Sequence, residues 1–145
     1  MYKTGQIDVF GNDIVTDEYH SGKEFEKHIA TILRKYDGCE ISEQVTIGNK
    51  FRNHKHIVDI LVNSKIIVSV KLQNTGGTTE EKVGYEMWTL KEKILSRLYT
   101  KAFIICGGPG WTIFENLLKM SKDYPEVTLI RYEDDKTLSF IKNEI

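Results

Sequence analysis

"SKIIVSVKLQNTGGTTEEK", residues 64–82, holds a strand, a turn and a helix start in nineteen positions. Ile66, Ile67, Val68 and Val70 form the β-branched run expected of a buried strand. Ser69, Lys71 and Gln73 interrupt that run at every second position. Because side chains on a strand alternate between faces, these three polar groups share one face. Gly76-Gly77 ends the strand, and Thr78 or Thr79 offers a cap for a following helix. A lysine on an otherwise apolar strand costs stability unless an opposite charge meets it.

The preceding stretch, "HIVDILV" at 56–62, carries one such charge, Asp59. Asn63-Ser64-Lys65 joins the two runs. A three-residue loop sets position 62 opposite 66, hence Asp59 opposite Ser69 with Lys71 as its diagonal neighbour. A two-residue loop would throw Asp59 to the other face, so the odd-length loop is expected. The plainer meaning of the pair is a half-buried salt bridge. The chemical meaning is a metal-assisted hydrolytic site: Asp59 ligates a hard cation, while Lys71 orients or deprotonates water and offsets charge on a phosphorane-like transition state.

Outward from this hairpin, "SGKEFEKHIATILRKY" reads as a helix. Ser21 and Glu24 form a capping box, and Phe25, Ile29, Ile32, Leu33 and Tyr36 make the apolar stripe. Strands are expected at 41–47, 56–62 and 65–73, the first two separated by the basic, turn-rich "GNKFRNHK". A second helix over 79–98 shows the stripe Val83, Met87, Leu90, Ile94 and Leu98. Then come a buried strand "KAFIIC", a turn "GGPGW", a helix at 112–124, a strand "VTLIRY" and a short closing helix. Hairpins followed by crossovers predict an α/β fold with a mixed sheet flanked by helices. One domain over 1–145 is expected, with an N-terminal arm at 1–20, a core at 21–131 and a closing segment at 132–145.

Composition excludes several classes. The 145-residue chain is 40% hydrophobic and 28% charged, ordinary for a globular protein. No apolar run approaches a membrane span, and the N-terminus has no secretory h-region, so a cytoplasmic protein without membrane contact is expected. Cys39 and Cys106 are expected as two free thiols. A net charge of −1 means that any nucleic acid must be met by a local basic patch. His54 and His56 lack a second ligand pair for zinc. "GGPGW" lacks the Lys-Ser/Thr of a phosphate loop.

Asp59 followed by Ser69-Val70-Lys71 on a hairpin, after a helix carrying Phe25-Glu26, resembles the PD-(D/E)XK nuclease superfamily. "SVKLQNTGGTTEEKVGYE" is similar to a bacterial subgroup with an S-x-K-x-Q strand and a helical glutamate. The resemblance covers residues 21 to about 131. It implies the restriction-endonuclease-like fold, three layers around a central mixed β-sheet of αβββαβ order, and Mg²⁺-dependent cleavage of DNA phosphodiesters, with Mn²⁺ as a possible substitute. It also implies a bacterial or phage setting. Ser69 departs from the pattern, since the family places an acidic or amide ligand there. Some members carry Ser-x-Lys with a glutamate relocated to the next helix, and Glu86, fifteen residues past Lys71, matches that position. Its neighbours Val83 and Leu90 lie in the buried stripe, so Glu86 sits at the stripe's margin. Glu80, Glu81 and Glu92 are expected as helix-start or surface charges. On the first helix, Glu26 follows an aromatic residue as the family's glutamate does; its rival meaning is a boundary salt bridge. Gln73 either holds the scissile phosphate, positions Lys71, or bonds backbone at a strand end.

The expected catalytic set is Asp59, Lys71, Glu86, Glu26 and Gln73, with Asp59, Glu86 and Glu26 as metal ligands. Lys50, Arg52 and Lys55, interleaved with Phe51 on the hairpin tip, suit phosphate contact. Lys91, Lys93, Arg97 and Lys101 form a second basic cluster. One site per chain cuts one strand, so a homodimer or higher oligomer on DNA is expected. Two other readings stay open: a nuclease fold that binds DNA without cutting, Ser69 marking the loss, and a nuclease for RNA or branched DNA.

Overall fold

The computed structural model describes residues 3–7, 13–16 and 19–145. Residues 1–2, 8–12 and 17–18 of the expected arm lie outside the described residues. Within the arm, β1 (Lys3–Ile7) and β2 (Asp13–Thr16) pair antiparallel. The core begins with α1 (Gly22–Leu33), where Ser21 Oγ accepts from Glu24 N at 3.1 Å. The Glu24 carboxylate reaches back to His20 N, one residue beyond the usual capping-box partner.

Five strands follow: β3 (Ile41–Asn49), β4 (Lys55–Val62), β5 (Ile66–Leu72), β6 (Lys101–Gly107) and β7 (Val127–Arg131). Their spatial order is their chain order. β3, β4 and β5 pair antiparallel; β5, β6 and β7 pair parallel. The crossovers are α2 (Thr79–Leu95) and α3 (Phe114–Ser121), and a 3₁₀ turn with α4 (Ser139–Lys142) closes the chain. The sheet is thus the mixed α/β sheet of the restriction-endonuclease-like fold.

Two apolar layers sandwich the sheet. Phe25, Ile29 and Leu33 of α1 pack on Ile60, Val62, Val68, Phe103 and Ile105, with Ile141 of α4 behind them. Val83, Met87 and Leu90 of α2, with Leu117 of α3, pack on Leu61, Ile67, Ile104 and Cys106. Strands in the sheet's centre are covered on both faces, which is why their sequences run almost wholly apolar. Leu98 corrects the expected stripe. Arg97 takes a left-handed φ of 68°, α2 stops at Leu95, and Leu98 is 74% exposed.

The β4–β5 loop has three residues. Val62 pairs with Ile66, Leu61 with Ile67 and Ile60 with Val68. Asn63 and Ser64 both take left-handed φ values, 52° and 59°, the conformation asparagine tolerates best among residues with a side chain. The Asn63 amide secures the loop, accepting from Glu40 N at 2.7 Å and donating to Gly38 O at 3.0 Å.

Candidate active site

Beyond Ile60 and Val68 the β4–β5 ladder stops. Val58 and Leu61 both pack on the α2 side, positions that strict alternation would set on opposite faces. The phase of β4 therefore slips at Ile60-Asp59, and Asp59 stands in the gap where the two strands part. Its Oδ2 accepts from Val70 N at 2.7 Å, standing in for the missing strand partner. The ladder ends one residue short of the Asp59–Ser69 pair expected from the three-residue loop, and the Asp59 carboxylate meets the backbone of Val70 instead.

α2 completes the cluster. Glu86 reaches the polar face of β5, where Ser69 Oγ donates to its Oε1 and Lys71 Nζ lies 2.9 Å from its Oε2. The serine in the acidic position thus touches the helical glutamate directly. Both charged side chains are largely covered, Lys71 at 28% and Glu86 at 18% exposure. Burial alone would lower the Lys71 pKa. The charge and hydrogen bond of Glu86, with Asp59 behind, outweigh burial and raise it above the usual lysine value. Lys71 is therefore an ammonium in this arrangement, suited to orienting water and stabilising negative charge rather than to removing a proton.

Asp59 is shifted in the same direction, which for a carboxylate disfavours the charged form. Burial pushes its pKa up, opposed by the Val70 hydrogen bond and Lys71, and the Glu86 charge pushes it further. Glu26 is also raised, first by burial and then by Asp59 and Glu43, against a hydrogen bond from Gln44. Gln44 Nε2 donates to Glu26 Oε1 at 2.7 Å, and its amide also favours the charged form of Asp59. Gln44 was not singled out from the sequence. Its backbone φ of 52° breaks the regularity of β3, and only the completed β3–β4 register sets it opposite Asp59.

Gln73 lies at the other end of the polar face and is buried. Its Nε2 donates to Gly110 O at 2.7 Å, and its Oε1 accepts from Glu80 N at 3.1 Å. It caps α2 from outside the helix, in place of Thr78, whose side chain makes no cap bond. Of the three expected parts, backbone bonding at a strand end is the one its contacts describe. Glu80 corrects the expectation of a helix-start charge in solvent. It is buried, and its carboxylate accepts from Thr112 Oγ1 at 2.5 Å, Thr112 N at 2.8 Å and Ile113 N at 3.0 Å. Those bonds, the hydroxyl first, hold its pKa below the usual carboxylate value. They also cap α3, whose own N-cap residue, Ile113, offers no side-chain bond. The "GGPGW" turn closes over this knot: Gly108 takes a φ of +90°, and a Cβ at Gly110 would lie 2.5 Å from Thr75 N. It is a strand-to-helix turn, as the sequence indicates.

Lys50, Arg52 and Lys55 are exposed on the β3–β4 tip, with Arg52 and Asn53 in left-handed conformations. Lys50 and Lys71 line one cavity of about 700 Å³ together with Glu86 and His56. The second basic cluster disperses: Lys93 bonds Asn49 O, Lys101 bonds Pro125 O, and Lys91 lies over the Tyr124 ring.

The order of elements, the parted β4–β5 hairpin, and an aspartate, a lysine and a helical glutamate in its gap accompany a match to a family model. That model, a PD-(D/E)XK nuclease superfamily domain, covers residues 13–132. The chain belongs to the PD-(D/E)XK nuclease superfamily. No curated protein and no solved structure matches it significantly. PD-(D/E)XK domains are generally phosphodiester-cleaving nucleases that use divalent metals. Among the described residues no three His, Cys, Asp or Glu side chains already gather as a ligand set. The donor chemistry nevertheless fits a hard cation. Asp59 is a carboxylate whose charge is disfavoured by burial and by Glu86, and a divalent ion would offset both. Among the described residues no helix is long and apolar enough to cross a membrane.

Proposed function

We propose that this PD-(D/E)XK domain is a Mg²⁺-dependent endonuclease that hydrolyses DNA phosphodiester bonds, in a restriction-like or mobile-element-like role. The observation that carries the reading is Glu86. A helical carboxylate meets Ser69 and Lys71 at the position where the superfamily pattern asks for an acid on the strand. Asp59 and Glu86 would hold the metal, with Glu26 as a nearby acidic group; bound there, Mg²⁺ supplies Lewis-acid polarisation of the phosphate and a more acidic water. Lys71 holds its proton and places an ammonium where the phosphorane's negative charge develops. Water adds its oxygen to phosphorus, the ester P–O bond breaks, and the leaving oxygen takes a proton. Lys50, Arg52 and Lys55 supply sequence-independent phosphate contacts. Cutting both strands calls for two copies, so a homodimer or higher oligomer follows from one site per chain.

The test is cleavage of plasmid and linear duplex in Mg²⁺, with EDTA, Ca²⁺ and Lys71→Ala as controls. Mg²⁺ or Mn²⁺ should support turnover, Ca²⁺ only binding. Lys71→Ala should cut on the order of 10²-fold more slowly while binding DNA almost unchanged. Cleavage that survives EDTA rejects the metal mechanism. Binding without any cleavage makes the Lys71–Glu86 pair a closed salt bridge and the protein a DNA-binding nuclease fold. Parallel RNA and branched substrates decide the substrate class.

A further inference from the structure

The cavity beside Lys71 and Glu86 does not end there. A second cavity of about 550 Å³ adjoins it, and Lys50, His56 and Thr89 line both. Along α2 and its C-cap residue, Lys82, Glu86, Thr89, Lys93 and Ser96 line the two cavities turn after turn, so they form one trough beside the β3–β4 hairpin. The two ends differ in character. The first carries Lys71, Lys82, Glu81 and Glu86. The second is walled by Ile47, Leu98 and Tyr99, with Lys50, Glu92 and Lys93 at its edge. Between them lie the Thr89 and Ser96 hydroxyls, which donate to Glu86 O and Lys93 O.

We infer that the second cavity receives an unpaired nucleobase of the nucleic-acid strand whose phosphate lies at Lys71, which rests on the nuclease reading above. A mostly apolar recess with an aromatic ring, hydroxyls whose lone pairs can still accept, and Lys50 and Lys93 outnumbering the one carboxylate, Glu92, at its wall matches a base joined to charged phosphates. Glu86 and Lys93 are seven residues apart, about 10 Å along the helix axis, the span of a few nucleotides at most. A base still paired in a duplex cannot enter such a recess, so the nucleotide must already be unpaired or leave its stack. His56 sits where the cavities meet. It is 4% exposed, and its Nδ1 has no hydrogen-bond partner among the described residues, leaving a polar group uncommitted at the waist of the trough.

The test uses oligonucleotides carrying 2-aminopurine at successive positions around the target, as a single strand, a duplex with a single-stranded flap, and a full duplex. The proteins are the wild type, in Ca²⁺, and Ser96→Trp, which fills the recess from an exposed helix end. A fluorescence change confined to positions a few nucleotides from the cut, seen with unpaired strands and lost in Ser96→Trp, supports the proposal. A companion loss of at least about 10-fold in cleavage of flap substrate, with full-length folding shown by an unchanged melt, supports it further. No responding position, an equal response in Ser96→Trp, or full duplex cut as fast as flap by both proteins overturns it. So does a change of oligomeric state in Ser96→Trp, which would place a second copy in the recess. If the fluorescence pattern appears but nothing is cleaved, the base site stands and the nuclease reading falls.

Discussion

Glu80 and Glu86 stand on one helix, six residues apart, in opposite circumstances. Glu80 is buried and has its carboxylate filled by two backbone amides and a hydroxyl. Glu86 meets one hydroxyl and one ammonium, both of which belong to the polar face of β5. The same division runs along the strand. Gln73 bonds backbone at both ends of its amide, while Lys71, two residues earlier, meets only a side chain. One end of the β5–α2 junction is a set of relayed caps, β5 to α2 and α2 to α3, that fixes the helix. The other end presents groups that a substrate or cation could take over. Rigid caps beside an exchangeable pair are what an enzyme needs to hold a glutamate near an aspartate whose charge burial disfavours.

The sharpest way to break the contrast is to neutralise each glutamate. Glu86→Gln should lower metal-dependent cleavage at least about 10²- to 10³-fold in single-turnover rate, with a small change in melting temperature, because the amide oxygen still accepts from Ser69 and Lys71. Glu80→Gln should do the reverse: a lower melting temperature, and cleavage preserved well below it. The Glu80 contribution also has a pH sign. Its folded pKa is depressed, so its stabilisation is present above the usual carboxylate range and is lost as pH falls through the folded value. The melting gap between wild type and Glu80→Gln should therefore close in acid; a gap constant with pH would contradict the capping account.

A double-mutant cycle at positions 69 and 86 follows in size. Ser69→Glu added to Glu86→Ala returns a carboxylate from the strand side and should recover part of the activity, though a misplacement of about 1 Å can still cost roughly 100-fold. Ser69→Glu alone should be neutral or harmful, because a third close acid raises carboxylate pKa values. A folded double mutant with no rescue counts against Glu86 as the relocated ligand.

Asp59→Asn sharpens the contrast through stability. The Asp59 pKa is raised on folding, so its charged form destabilises the native state as pH rises from the unfolded value through the folded one. The amide oxygen can still accept from Val70 N. Asp59→Asn should thus melt higher than wild type at neutral pH, converge with it in acid, and lose cleavage. A lower melting temperature at neutral pH would make Asp59 a structural partner of Lys71. The smallest effect belongs to the hairpin tip. Neutral replacements of Lys50, Arg52 and Lys55 should flatten the salt dependence of DNA affinity by about one log–log unit per lost contact. An unchanged slope in the triple variant would remove the tip from the binding surface.

Local rules carried much of this molecule. Ser21 and Glu24 marked the start of α1, β-branched runs marked the central strands, and a parity argument on Asn63-Ser64-Lys65 set the loop at three residues with Val62 opposite Ile66. Those features depend on neighbours a few residues apart or on one hairpin, distances over which periodicity is a reliable guide. The margin position of Glu86 was legible for the same reason, as an offset from Val83 and Leu90.

What the sequence by itself determined, then, is the α/β order of elements, the residues of the polar strand face and the helix that could supply a carboxylate to it. Only the tertiary structure decided which polar groups are free for chemistry. Glu80 and Glu86 are alike as residues on an amphipathic helix, and Gln73 is spaced like Lys71. Their difference comes from backbone amides at Thr112 and Ile113 and a carbonyl at Gly110, all more than thirty residues away. Gln44 likewise acquires its place beside Asp59 from a kinked strand and the register of its partner. A buried polar group is defined by what satisfies it, and those partners arrive through packing across the chain, beyond the reach of any local period.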